Sequence, residues 1–96
     1  MDGARVLVVE DDVTLGGGLR QALASQGYRA SWVQTGVKAL ELAREPHDLV
    51  LLDLKLPDMD GVQVCRRLRA AQPWLVIVML TARREEIDVI VNLTMG

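Results

Sequence analysis

The residues best equipped for chemistry in this chain stand in three short segments. Glu10-Asp11-Asp12 places three carboxylates at the end of an apolar run, Val6-Leu7-Val8-Val9. Asp53 ends a second run, Leu49-Val50-Leu51-Leu52, and Thr81-Ala82 ends a third that starts at Leu75. Apolar runs this short and this rich in β-branched residues are expected to be strands buried on both faces. Parallel, adjacent strands would bring their ends to one edge, which is where open α/β sheets bind ligands. Carboxylates brought that close repel one another unless a cation or protons intervene. An open, hard-oxygen site of this kind suits Mg²⁺, which keeps several of its own waters. The cation would offset the repulsion and hold the oxygens of an incoming phosphoryl group. A carboxylate is a competent nucleophile toward such a group. Thr81 would offer a hydroxyl donor to a phosphoryl oxygen, and Ala82 would leave room for a bulky donor to approach.

The elements that must position these groups alternate along the chain. Arg5–Glu10 reads as a first strand. Asp11 and Asp12 offer N-caps for a helix running to about Gln26, with Leu15, Leu19, Ala22 and Leu23 on its inner face, and Gly27 is the expected C′ residue. Arg29–Val33 is a weaker strand with the composition of an edge. Thr35 can cap a second helix to about Glu45, closed by Pro46. Asp48–Asp53 forms the next strand, Leu54–Asp60 a loop in which Asp58 and Asp60 are turn formers, and 61–71 a third helix with Val64, Cys65 and Leu68 inward. The run 75–80 is a further strand, and a fourth helix is expected from near Arg84 with Ile87, Ile90 and Val91 on one face. Strands separated by helices of this length imply a parallel, doubly wound α/β layer structure. Gly16-Gly17-Gly18 sits inside the first helix, where each glycine costs about 0.8–1 kcal/mol relative to alanine. The spacing is not that of a nucleotide-binding loop, and the acids before it would repel phosphate.

Bulk properties exclude several classes. At 96 residues the chain is one domain at most, and half of it is hydrophobic, enough for a core without disulfides. Net charge is -2 with both signs mixed, so there is no basic stripe for nucleic acid. Arg66, Arg67 and Arg69 read as a solvated helix face, and His47 as a surface residue. A single cysteine, Cys65, fits core packing and a reducing cytoplasm. Trp32 and Trp74 read as partly packed at strand edges. No run approaches the ~20 apolar residues of a membrane span.

Three segments together resemble the signature blocks of response-regulator receiver domains: Val8-Val9-Glu10-Asp11-Asp12, then Leu51 through Gly61 (Leu-Leu-Asp-Leu-Lys-Leu-Pro-Asp-Met-Asp-Gly), then Met79-Leu80-Thr81-Ala82-Arg83. Order and spacing agree over essentially the whole chain. The resemblance implies a flavodoxin-like doubly wound parallel sheet, with strand order 2-1-3-4 and the fifth βα unit missing. It implies Asp53 as the phosphoacceptor, Asp11 as a direct Mg²⁺ ligand, Glu10 acting through a metal-bound water, and the backbone carbonyl of Lys55 as a further ligand. Thr81 would be the switch hydroxyl, and Lys55 and Arg83 would tune the lifetime of the phosphorylated state. The implied partner is a sensor histidine kinase. Mg²⁺-dependent self-phosphorylation and autodephosphorylation would be the only chemistry. The output would be a DNA-binding domain not in this sequence, since the third block looks most like receivers of winged-helix transcription regulators.

The family pattern also has a lysine at the end of a fifth strand and an aromatic residue on it, and this chain ends before either. Residues 1–96 are therefore expected to be an incomplete receiver. The 75–80 strand, apolar on both faces, is expected to offer a bare edge to a second copy of the chain, as is the helix-four surface. Two other readings stay open. A non-phosphorylated interaction scaffold would keep the fold but lose pocket acids, and they are present. A Mg²⁺-dependent phosphatase with an aspartyl nucleophile would need an Asp two residues after Asp53, where Lys55 stands.

Overall fold

A computed structural model describes residues 3–80. Strands β1 (Arg5–Val9), β2 (Arg29–Val33), β3 (Leu49–Leu52) and β4 (Val76–Met79) alternate with helices α1 (Val13–Ser25), α2 (Gly36–Leu42) and α3 (Gly61–Ala71). All pairings are parallel, as the alternation of elements predicts, and the order is β2-β1-β3-β4, as the resemblance implies. The register sets Val9 beside Val33 on one side and beside Leu52 on the other, with Leu52 beside Met79. The residues that follow these four therefore start from a common edge.

Strand alternation explains how β1 can be apolar throughout. Leu7 and Val9 belong to a core cluster with Val50, Leu52, Ile77, Ala39 and Ala43 of the α2 segment, and Val64, Cys65 and Leu68 of α3. Val6 and Val8 point to the opposite face and are also fully buried, and α1 packs on β1 and β2. The inward residues of α3 are those expected, Cys65 included.

The helix ends follow local hydrogen-bond chemistry. Asp12 accepts from Leu15 N (2.9 Å), Thr35 from Lys38 N (3.1 Å) and Asp60 from Val62 N (2.9 Å), each as an N-cap. Gly27 adopts φ 92° and closes α1 in a Schellman arrangement. Its N–H donates to Ala24 O (3.1 Å) and the Tyr28 N–H to Leu23 O (3.1 Å).

Three expectations need correction. Helix α2 stops at Leu42, not near Glu45. Arg44 N and Glu45 N reach back only three residues, to Glu41 O (3.3 Å) and Leu42 O (3.2 Å), because Pro46 forces the residue before it out of the helical region. On α1, Leu15 is 41% exposed and Ala22 exposed, while the buried position is Gly16. The buried contact of the helix is its glycine, while Leu19 and Leu23 of the expected face are half-buried. Trp74 is 90% exposed, in place of the partial packing expected. The fourth helix and its apolar face lie outside the described residues. Among the described residues no helix is long and apolar enough to cross a membrane.

Candidate functional site

Sheet register assembles the site. Glu10 directly follows Val9 on the central strand, and Asp53 follows Leu52 on its neighbour, so the two carboxylates begin side by side. The ladder continues one step past the strands: Asp53 N donates to Val9 O (2.9 Å), Glu10 N to Val33 O (3.0 Å) and Leu80 N to Leu52 O (3.0 Å). Glu10, Asp11 and Asp53 each offer a carboxylate oxygen, and these oxygens all lie within 4.8 Å of one another. Glu10 and Asp53 are 2% and 5% exposed, whereas Asp11 stands in solvent. Asp12, beside them, is committed to α1 as its cap.

Burial and like charge make this an electrostatically unsatisfied place. The Glu10 carboxyl is pushed up to about 7, first by its removal from water and then by its hydrogen bonds and repulsion with Asp53 and its contact with Asp11. The Asp12 N–H, donating to Glu10 Oε2 at 3.1 Å, works against that rise. Among the described residues Glu10 Oε1 is buried with no hydrogen-bond partner. A buried acceptor left in that state is costly, and a hard cation between the three acids would satisfy it. The donor set, all carboxylate oxygen and open on the Asp11 side, therefore fits a divalent ion such as Mg²⁺.

The β3–α3 loop sets the orientation of Asp53. Lys55 N donates to Asp53 Oδ1 (3.1 Å), and Lys55 forms an isolated antiparallel bridge with Asp60. Gly61 N donates to Leu54 O (3.0 Å), pressing the first turn of α3 against the loop. An ideal Cβ on Gly61 would lie 2.5 Å from Leu54 Cα and 2.7 Å from Asp53 O. Only glycine permits this approach. Asp58 reaches across to α2, accepting from Gly36 N (2.8 Å) and Val37 N (2.9 Å). Those N–H groups, Gly36's first, hold the Asp58 carboxyl below its usual value.

The site residues expected from sequence are thus placed unevenly. Glu10, Asp11 and Asp53 converge, and Lys55 touches Asp53 through its N–H. Thr81 and Ala82 lie outside the described residues. Sequence reasoning missed Gly61 and the reach of Asp58, read only as a helix start and a turn former. It also missed that Trp32 Nε1 donates to Glu10 O (2.7 Å) and Gln34 Nε2 to Asp11 O (3.1 Å). The signal available was the i, i+2 placement of two donors at the end of an edge strand.

Known proteins share this sequence and fold. The family model of the response regulator receiver domain matches residues 6–96. The chain is 45% identical over 93 residues to the DNA-binding response regulator MtrA of Mycobacterium tuberculosis, covering 96% of this chain and 40% of that protein. It is 42% identical over 92 residues to the transcriptional regulatory protein AfsQ1 of Streptomyces coelicolor, covering 95% and 40%. It thus spans about 40% of the length of these relatives. Among solved structures, the non-phosphorylated HemR receiver domain of Leptospira biflexa superposes with a TM-score of 0.85 at 33% identity, over 94% of this chain and 75% of that one. A CheY-like receiver domain protein of Methanospirillum hungatei gives 0.86 at 27%, over 96% and 76%. With its family model matched over residues 6–96 and its fold shared with these structures, the chain belongs to the response regulator receiver domain family.

Proposed function

We propose that this chain is the phosphoacceptor module of a two-component system and that Asp53 receives the phosphoryl group. The observation that carries the reading is the convergence of Glu10, Asp11 and Asp53 within 4.8 Å at the sheet edge. An Asp53 oxygen forms the new bond to phosphorus while the phosphorus–nitrogen bond of a kinase phosphohistidine breaks, and the imidazole leaves and takes a proton. Glu10, Asp11, Asp53 and the Lys55 carbonyl would hold Mg²⁺, which neutralises charge on the transferred oxygens when bound. The Lys55 N–H on Asp53 Oδ1 fixes the plane of the receiving carboxylate. Thr81 would then take a phosphoryl oxygen as the switch hydroxyl, with Ala82 keeping the approach clear.

The partners follow from this role. A sensor histidine kinase supplies the phosphoryl group, and a DNA-binding output domain reads the change, as the name of MtrA suggests. The setting is the cytoplasm, with no membrane contact. A second copy of the chain is a further partner, at the outer edge of β4, which stands last in the order β2-β1-β3-β4 among the described residues. Light scattering should show mass rising with concentration, and a constant monomer at millimolar protein would refute that contact.

Intact mass after acetyl phosphate and Mg²⁺ tests the central reading. One phosphoryl adduct is expected, absent without Mg²⁺ and absent in Asp53→Asn. An adduct that survives in Asp53→Asn would move the acceptor to another residue.

A further inference from the structure

We propose that Trp32 and Gln34 are positioning residues for the acidic turn, and that Gly16 is the slot that seats the indole. The inference rests on reading Glu10, Asp11 and Asp53 as an ion-binding phosphoacceptor site, and it assigns residues outside that triad to its assembly.

Trp32 lies on β2 and Gln34 two residues on, just past its end, so their side chains leave the same face. Trp32 Nε1 donates to the carbonyl of Glu10 at 2.7 Å and Gln34 Nε2 to the carbonyl of Asp11 at 3.1 Å. Between them, Val33 O accepts from Glu10 N at 3.0 Å. Three consecutive residues of one segment therefore grip two consecutive residues of the turn. The two clamped carbonyls belong to the peptide planes on either side of Asp11. That residue's side chain is exposed, and burial does little to hold it. Fixing both flanking peptides fixes the direction in which the Asp11 carboxylate leaves the chain. Preorganisation of this kind raises affinity by removing the ordering cost of binding.

Gly16 makes the grip sterically available. An ideal Cβ there would lie 2.1 Å from Trp32 Nε1, 2.4 Å from Cε2 and 2.9 Å from Cδ1. The indole edge thus lies directly against the helix backbone, and any larger residue would drive its N–H away from Glu10 O. Gly17, beside it, has only ordinary contact with the ring, and Gly18 has nothing within 4 Å. One glycine of the three carries the requirement.

Mn²⁺ affinity, read from the electron paramagnetic resonance of the free ion, separates positioning from stability. Trp32→Phe keeps a ring but loses the donor, and is expected to weaken Mn²⁺ binding about tenfold, with Gln34→Leu about threefold. Gly16→Ala should resemble Trp32→Phe, yet cost no further affinity when added to Trp32→Ala, since no indole then needs the slot. Leu68→Ala, in the α3 core and away from the acids, should lower the Tm while keeping wild-type affinity. Wild-type affinity in both Trp32→Phe and Gln34→Leu would overturn the clamp alone. Equal weakening by Leu68→Ala would also overturn it, by reducing the effect to lost stability. A wild-type chain that binds no Mn²⁺ would instead overturn the ion-site reading beneath it.

Discussion

Gly61→Ala is expected to destabilise the domain by about 3 kcal/mol and to abolish the phosphoryl adduct proposed for Asp53. The magnitude sits at the upper end of the usual range for overpacking, about 1–3 kcal/mol, because the obstruction is backbone. The added Cβ would meet Leu54 Cα at 2.5 Å, Asp53 O at 2.7 Å and Leu54 O at 2.8 Å, and no rotamer change can relieve contacts with main-chain atoms. Relief requires the first turn of α3 to lift or the 53–55 loop to shift. Either movement disturbs the Lys55 N–H that orients Asp53. Gly18→Ala provides the opposite sign in the same experiment. Its Cβ would meet nothing within 4 Å on an exposed helix position, so alanine should stabilise by about 0.5–1 kcal/mol through propensity alone. Urea denaturation midpoints and intact mass after acetyl phosphate measure both. A Gly61→Ala protein with wild-type midpoint and full adduct would show that the loop is not confined as described.

Metal-free protein should lose stability as pH rises from 5 to 8, the reverse of what a paired carboxylate produces. The folded state raises the Glu10 carboxyl from 4.5 to about 7. Between those values the folded chain binds more protons than the unfolded chain, so the free energy of unfolding falls with pH. The stabilisation is complete below about 4.5 and gone above about 7, a change on the order of 1–3 kcal/mol. Asp58 does not confuse the window. Its carboxyl is held below 3.8, so its contribution is constant above pH 5 and lost only in more acid solution. Mg²⁺, proposed to bind the ionised acids, should offset that trend. At about 100 times its Kd it adds ~2.7 kcal/mol at pH 8 and much less at pH 5, where protons compete. Thermal melts at both pH values, with and without Mg²⁺, measure this. A metal-free Tm that rises between pH 5 and 8 would contradict the raised Glu10.

Much of this molecule can be read from residue order because its signals are local and periodic. Continuous apolar runs such as Val6–Val9 mark strands covered on both faces. Asp12, Thr35 and Gly27 mark helix ends through hydrogen bonds that reach only a few residues. The parallel sheet then brings Glu10 and Asp53 to one edge, and the order β2-β1-β3-β4 agrees with the resemblance to receiver domains. What the residue order could not disclose is distance between segments remote in sequence. The cost of a glycine within a helix is a local property, but its compensation at Gly16 is an indole arriving from residue 32. Gly61 looks like any helix start until α3 is pressed on the 53–54 backbone. Asp58 looks like any turn former until its two oxygens meet the N–H groups of α2, 21 and 22 residues away. Trp74 is apolar by type, yet it stands 90% exposed. The raised carboxyl of Glu10 is likewise a property of folding, since it comes from lost water and from Asp53, 43 positions further along the chain. Propensity and periodicity are summed over neighbours in sequence, whereas close approach, desolvation and charge repulsion are summed over neighbours in space.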